Sequence, residues 1–185
     1  MKFRLKLKFI KKIPNILTSL RVFLVPIICL LMWFNTPLTR FFAVFFALVA
    51  CISDYFDGDI ARKYNATTKF GKCMDPIADK TLVMALLFML VYTAKANVFA
   101  SIIILFREFV VSGVREYVAH KGITIHVSKM AKYKTTLQMV SLLFLMVASG
   151  DCAIYFGNFL LSIAAGLSVI TGAQYLYAVR KEIFD

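Results

Sequence analysis

Long apolar blocks separated by short polar or charged segments dominate the chain, and this pattern predicts helices that cross a membrane. Several blocks are shorter than the roughly 20 residues that a spanning helix needs, so their helices must continue into charged ends such as 53–63 and 107–120. Turn-forming clusters at 35–37 and 149–151 separate two pairs of blocks. The pattern predicts six helices, at Asn15–Phe34, Thr39–Tyr64, Pro76–Ala94, Asn97–His120, Tyr133–Ser149 and Ala153–Arg180.

The composition agrees with a membrane setting. Hydrophobic residues make up 61% of the chain, charged residues only 17%, and the mean hydropathy is +0.78. A soluble domain usually holds about 45 to 50% apolar residues, so we expect an all-α integral membrane protein. The 185 residues suffice for one bundle, which we predict as a basic N-terminal arm at 1–13 and a six-transmembrane-helix domain at 14–185.

Lysines and arginines are concentrated in alternate connections. Residues 1–12 hold six of them, and further groups lie at 62–72, 121–134 and 180–181, whereas the other connections hold only Arg40 and Lys95. The positive-inside rule then places both termini in the cytoplasm, as in a multi-pass protein of a bacterial inner membrane. These charges flank apolar spans, so anionic lipid headgroups account for the net charge of +12, and no nucleic acid partner is expected.

Four aspartates, Asp54, Asp57, Asp75 and Asp79, are spaced D-x2-D-G-x2-A-R-x8-G-x3-D-x3-D. A carboxylate at membrane depth costs about 2.5 to 3.5 kcal/mol on insertion scales, so four of them need compensation. Residues three or four apart share a helix face, and a turn containing Gly71 would bring the two faces opposite each other. Such a set of carboxylates suits Mg²⁺ or Mn²⁺, and two ions are expected.

Two neighbouring residues extend this interpretation to a phosphate ligand. Gly58 leaves room for a ligand close to the backbone, and Arg62, one turn further on, can pair with a phosphate. The motif therefore indicates a metal-bound diphosphate. In the alternative interpretation, the aspartates merely pair with basic residues at a helix end, namely Arg62, Lys63, Lys72 and Lys80. That arrangement is common for one or two acids and less so for two pairs on successive helices.

The aspartate motif resembles the signature of the CDP-alcohol phosphotransferase family at every defined position. The resemblance implies a six-helix membrane bundle, usually a homodimer, that binds a CDP-linked substrate and divalent metal in a cavity open to the cytoplasm. It also implies that Asp54, Asp57 and Asp75 hold metal, and that Asp79 both touches metal and acts as general base. The implied cytidine diphosphate pocket is lined by Asn15, Thr18, Gly58, Arg62 and Thr68. Arg21 lies on nearly the same helix face as Asn15 and Thr18 and is assigned to this pocket for that reason, with extension of its guanidinium to the membrane surface as the alternative.

A second stretch resembles the branch of this family that makes phosphatidylglycerophosphate. It comprises 107–116, with two Arg-Glu pairs eight residues apart, and 127–138. The acceptor of that branch carries its own phosphate and needs a dianion site. We predict that glycerol 3-phosphate is bound by Arg107, Arg115, Ser128, Lys132, Lys134 and Thr135. Ordinary positive-inside charge is the alternative, and Ala131 departs from the glycine that the branch pattern favours before Lys132.

The expected reaction is transfer of the phosphatidyl group from CDP-diacylglycerol to glycerol 3-phosphate, with release of CMP. Two alternatives stay open. Another member of the family would use inositol phosphate, serine or phosphatidylglycerol as acceptor. A divalent cation transporter could also place aspartates in a helical bundle, but it would more naturally keep them at mid-membrane on the ion path and would leave Gly58, Arg62 and Lys132 without a role.

Overall fold

Six helices make up the secondary structure of the residues that the structure describes. The computed structural model describes residues 13–64, 69–121 and 129–184, and these ranges contain helices and no strands. The helices are α1 (Ile13–Phe34), α2 (Pro37–Tyr64), α3 (Lys69–Tyr92), α4 (Val98–His120), α5 (Lys129–Val147) and α6 (Asp151–Phe184). The predicted all-helical class and the number of helices are confirmed. The predicted basic arm lies outside the described residues except for Ile13, which begins α1.

Helix α3 begins seven residues earlier than predicted. Pro76 was expected at its first position, but the helix starts at Lys69, so Gly71 lies inside the helix and not in a turn. Proline fixes φ near the helical value and can continue a helix at the cost of one backbone hydrogen bond, so it is not a reliable start signal. The connection between α2 and α3 is thereby reduced to residues 65–68.

Helix α5 also begins earlier than predicted, at Lys129 and not at Tyr133. Its first turns contain Lys132, which the sequence pattern placed before the helix start, and Lys134, which it placed in the first turn of the helix. Lysine is a good helix former, so a charged segment next to an apolar block can belong to the same helix. The two lysines are consequently two positions apart on a helix and lie on different faces.

The turn between α1 and α2 shows how the chain reverses where the sequence predicted it. Thr36 and Thr39 cap α2 reciprocally, since the backbone N–H of each donates to the hydroxyl of the other, at 2.9 Å and 3.2 Å. Asn35 has a positive φ of 52°, and its side chain accepts a 2.7 Å hydrogen bond from Arg40 Nε. Pro37 occupies the first position of α2, where its missing N–H is tolerated.

The chain divides into two compact units, one ending at Met89 and the other beginning at Leu90. In the N-terminal unit, α1 packs against α2. In the C-terminal unit, α6 packs against both α4 and α5. The buried side chains of the C-terminal unit include a central apolar group of Ile104, Leu142, Leu145, Leu161, Ala164 and Ala165.

Large apolar side chains cover the outside of these helices, while several polar ones lie inside. Phe23, Phe99 and Tyr155 are 71%, 78% and 81% exposed, whereas Arg21, Lys134 and Gln138 are each 1% exposed. A soluble domain rarely exposes so many aromatic side chains. Among the described helices, Ile16–Phe34 and Asp151–Arg180 are long and apolar enough to cross a membrane.

A polar cluster joins the helix ends of the C-terminal unit. Lys95 is 7% exposed, and its Nζ donates to Ala148 O at 2.7 Å and to Met146 O at 3.2 Å, so it caps the end of α5. Asn158 of α6 donates to Lys95 O at 2.8 Å and accepts from Asn97 N at 2.7 Å. Asn97 in turn is the N-cap of α4, so this cluster fixes α4, α5 and α6 at one end.

Replacing Asn158 with leucine should lower the free energy of unfolding by about 1 to 3 kcal/mol, because the carbonyl of the buried Lys95 and the N–H of Asn97 lose their partner. Thermal unfolding in detergent measures this change. Ser162→Ala is the matched control, since this exposed hydroxyl one turn further along α6 donates to Asn158 O and bonds to no other described residue, and it should shift stability by less than about 0.5 kcal/mol. Equal melting temperatures for the two variants would contradict the role of Asn158.

Candidate active site

The four motif aspartates lie on two helices of the N-terminal unit. Asp54 and Asp57 belong to α2, and Asp75 and Asp79 belong to α3. The helical backbone places each pair, three or four residues apart, on one face of its helix. Their side chains lie outside the described part of the structure, as do those of Asn15 and Arg62 and the whole of Thr68, and Gly58 is described only as a helical position of α2. Their predicted roles therefore stay predictions. Four carboxylates form a donor set that suits a hard divalent cation.

Two predicted donor-substrate residues on α1 are described in full. Thr18 and Arg21, three positions apart, are each 1% exposed. α1 packs against α2, the helix that carries Asp54 and Asp57. An arginine near the end of a spanning helix often extends its guanidinium to the membrane surface, but Arg21 is enclosed by protein. A buried guanidinium needs compensation by protein or by a ligand, so the burial of Arg21 is compatible with its predicted role and with a structural one.

On the acceptor side, the structure brings Arg107 of α4 and Lys134 of α5 together through one carboxylate. Glu108 Oε1 accepts a hydrogen bond and ion pair from Lys134 Nζ, and it lies 3.4 Å from Arg107 Nη1. The side chains of Lys134, Arg107 and Glu108 are 1%, 13% and 22% exposed. Two basic residues and one acidic residue thus form a mostly buried cluster with a formal charge of +1.

Helix α6 holds the guanidinium of Arg107 in place. Arg107 Nε donates to Ser168 O at 3.2 Å, and Nη2 donates to Thr171 Oγ1 at 3.2 Å. Gly172 makes this approach possible, because a Cβ atom there would lie 3.1 Å from Arg107 Cγ. Arg107 therefore links α4 to α6, while Glu108 links α4 to α5.

The remaining predicted acceptor residues are not joined to this cluster by any hydrogen bond between described residues. Lys132 and Thr135 are exposed on α5, and Thr135 Oγ1 donates to Ala131 O at 3.0 Å. Arg115 is exposed on α4, with its guanidinium carbon 5.8 Å from the ring centre of Tyr175. Ser128 lies outside the described residues.

Four residues of this region received no role in the sequence analysis, namely Glu108, Ser168, Thr171 and Gly172. Glu108 is the acidic member of an Arg-Glu pair in the sequence, but Arg115-Glu116 is a second such pair on the same helix, so the sequence does not single out Glu108. The other three lie in the last apolar helix, where hydroxyls and glycine are common packing residues. The one sequence feature that could have indicated this contact region is the group of hydroxyl and small residues at 168, 171 and 172.

The helical architecture and the aspartate motif define a class of protein that comparison with known families identifies. The sequence profile of the CDP-alcohol phosphatidyltransferase family matches residues 11–172. This match covers most of the 185 residues, including both the aspartates and the Arg107 cluster. The chain belongs to the CDP-alcohol phosphatidyltransferase family, as the resemblance of the motif implied.

Curated relatives in this family match the chain over nearly its whole length. A Rickettsia bellii protein is 43% identical over 179 residues, covering 95% of this chain and 99% of the relative. A Rickettsia typhi protein is 44% identical over 92% of this chain and 98% of its own. A Shigella flexneri serotype 5b protein is 34% identical over 94% of this chain and 97% of its own. Each is named CDP-diacylglycerol–glycerol-3-phosphate 3-phosphatidyltransferase.

Alanine substitutions at Gly172 and at Gly166 should distinguish two effects on stability. One is the crowding of Arg107 by a new Cβ atom, and the other is the higher helix propensity of alanine. Gly166 lies on the same helix, and among the described residues no atom beyond the adjacent helix backbone and its chain neighbours lies within 4 Å of the place a Cβ would take, so Gly166→Ala should stabilise the protein by up to about 1 kcal/mol. Gly172→Ala should lose that gain, because Arg107 is held by Ser168 and Thr171 and cannot move away freely. Melting temperatures of the two purified variants provide the comparison, and equal values would show that Arg107 is not fixed.

Proposed function

We propose that this protein transfers the phosphatidyl group from CDP-diacylglycerol to glycerol 3-phosphate, giving phosphatidylglycerophosphate and CMP. The observation that carries the proposal is identity of 43% with a relative of that named activity over 95% of this chain and 99% of the relative. The buried basic cluster of Arg107 and Lys134 supports an acceptor that bears its own phosphate. The substrates are thus CDP-diacylglycerol and glycerol 3-phosphate, and the protein acts in phospholipid biosynthesis.

The donor substrate is assigned to the N-terminal unit. Asp54, Asp57, Asp75 and Asp79 would hold two Mg²⁺ or Mn²⁺ ions, which when bound neutralise the diphosphate and stabilise the CMP leaving group. Arg62 would pair with a phosphate, and the backbone at Gly58 leaves room for the nucleotide. Asn15, Thr18, Arg21 and Thr68 complete the proposed cytidine diphosphate pocket. The burial of Thr18 and Arg21 is compatible with this assignment for α1.

Asp79 is the proposed general base. It takes the proton of the attacking hydroxyl, the sn-1 hydroxyl of glycerol 3-phosphate, as the oxygen bonds to the phosphorus on the diacylglycerol side. The bond from that phosphorus to the CMP oxygen breaks. Arg107, Arg115, Ser128, Lys132, Lys134 and Thr135 are proposed to bind the phosphate of glycerol 3-phosphate, which does not react.

All six helices are proposed to span the membrane, with both termini and the active site facing the cytoplasm of a bacterium. The helices contain 22, 28, 24, 23, 19 and 34 residues. At about 1.5 Å per residue, even the shortest approaches the roughly 30 Å of the hydrocarbon layer. The exposed aromatic side chains would then contact lipid. A homodimer is proposed from the family resemblance alone.

An acceptor panel with labelled CDP-diacylglycerol tests the reaction. We expect CMP release and a labelled lipid product with glycerol 3-phosphate, and at least 100-fold slower transfer to serine, inositol phosphate or phosphatidylglycerol, which is a difference of about 2.7 kcal/mol. Parallel reactions with Mg²⁺, Mn²⁺ and EDTA test the metal dependence. Faster transfer to another acceptor would place the protein elsewhere in the family, and metal flux in vesicles without CMP release would indicate a transporter.

Asp79→Asn should abolish turnover while leaving CDP-diacylglycerol binding largely in place. The amide keeps the size of the side chain but cannot accept the hydroxyl proton, and three aspartates remain for metal. A loss of at least 10³-fold in kcat is expected, at the middle of the range for general base removal of about 10² to 10⁴. Binding of the labelled donor and an unchanged melting temperature are the controls. Near-normal activity would contradict the assignment of the base.

A further inference from the structure

The carboxylate of Glu108 lies between two basic side chains from two different helices. We infer that Glu108 is a positioning residue, which fixes Lys134 and Arg107 so that they bind the phosphate of the acceptor. The inference rests on the proposed function, since it assigns a new residue to the acceptor site of that reaction. Glu108 itself need not touch the substrate.

Lys134 requires such a partner because of its own chemistry. A lysine ammonium is a point charge on a flexible four-carbon stem, so its position is set by what it bonds to. The Lys134 side chain is 1% exposed, and Glu108 is its only hydrogen-bonded partner among the described residues. Gln138 lies one turn further along α5, but its Oε1 is buried without a partner in the described part of the chain and does not bond Lys134. The direction of Lys134 therefore depends on Glu108.

The position of Glu108 is in turn secured through its neighbour. Arg107 is anchored to α6 by the hydrogen bonds to Ser168 O and Thr171 Oγ1, and its Nη1 points to Glu108 Oε1. These contacts leave one N–H each on Nη1 and Nη2 of Arg107 and two on Lys134 Nζ. A chain of contacts thus runs from α6 through Arg107 and Glu108 to Lys134, and it leaves donors for a phosphate.

Charge and positioning predict opposite effects for removal of this carboxylate. Arg107 and Lys134 carry +2 and Glu108 carries −1, so Glu108→Gln raises the local charge from +1 to +2. If attraction alone governed acceptor binding, the variant would bind a phosphate dianion more tightly. If the geometry of Lys134 governs it, the variant binds more weakly, because preorganised donors are lost. The sign of the change decides between them.

The second Arg-Glu pair of the same helix supplies a matched control. Glu116 follows Arg115 as Glu108 follows Arg107, but Glu116 is exposed and has no ion pair among the described residues. Glu116→Gln makes the same chemical change eight residues away on α4. It should leave the kinetic constants of the protein unchanged.

The experiment measures steady-state kinetics for both substrates with full-length protein in detergent micelles. For Glu108→Gln we expect KM for glycerol 3-phosphate to rise at least about tenfold, a loss of about 1.4 kcal/mol. We expect KM for CDP-diacylglycerol to stay within twofold and kcat within threefold of wild type. A general loss of structure would instead lower the fraction of active protein and leave KM for each substrate at its wild-type value. An unchanged or lower KM for glycerol 3-phosphate in Glu108→Gln overturns the inference.

A second variant covers the case in which Glu108→Gln does not fold. Glu108→Asp keeps the charge on a side chain shorter by one methylene, so it should give a KM between those of wild type and Glu108→Gln, or a raised KM by itself. A wild-type KM in Glu108→Asp, when that is the one folded variant, overturns the inference. Failure of the proposed function is distinguishable, because then the wild-type protein itself does not transfer the phosphatidyl group to glycerol 3-phosphate, whatever the variants do.

Discussion

The ion cluster of Arg107, Glu108 and Lys134 is the interaction on which the C-terminal unit depends. Two cations held inside a helical unit with an apolar exterior would repel each other, and removing one partner from a buried ion pair typically costs about 3 to 5 kcal/mol. Glu108 offsets that repulsion and joins α4 to α5, while Arg107 joins α4 to α6. The carboxylate of Glu108 therefore links α4 to α5 and sets the direction of the Lys134 side chain, while its neighbour Arg107 makes the link to α6.

The same unit has a second polar cluster, formed by Lys95, Asn97 and Asn158. It differs from the Arg107, Glu108 and Lys134 cluster in how many hydrogen-bond donors it leaves for a ligand. Hydrogen bonds connect Lys95, Asn97 and Asn158 to one another and to the carbonyl groups at the end of α5, so few of their polar groups remain for a ligand. Along α6, Asn158 and Thr171 are separated by 13 residues, or about 20 Å. The buried apolar side chains Leu161, Ala164 and Ala165 lie between them in sequence. One cluster holds the helices together, and the other also keeps donors available.

Much of the architecture was predictable from sequence because apolar length and turn residues mark helices directly. The turn at Asn35 to Pro37 and the break at Gly150, with its φ of 85°, lie where the pattern placed them. The starts of α3 and α5 were wrong, because Pro76 and Lys132 are compatible with both a helix and its boundary. The aspartate motif was recognised by spacing alone. Glu108 was not recognised from the sequence. The lipid-facing and interior faces of α4 are similarly apolar, so the sequence does not show which face meets α6, and only the contacts in the structure distinguish Glu108 from Glu116.

A single carboxylate among the acceptor cations also makes sense in terms of the reaction. The phosphate of glycerol 3-phosphate does not react and is carried unchanged into the lipid product. Contacts to it are therefore equally strong in substrate, transition state and product, so they lower KM without raising kcat. A cluster of +2 with its donors held in the same positions would bind the product more tightly and slow its release. If these residues bind the acceptor as proposed, a net charge of +1 with Lys134 and Arg107 fixed in direction would select a phosphate-bearing acceptor by geometry and still let the product leave.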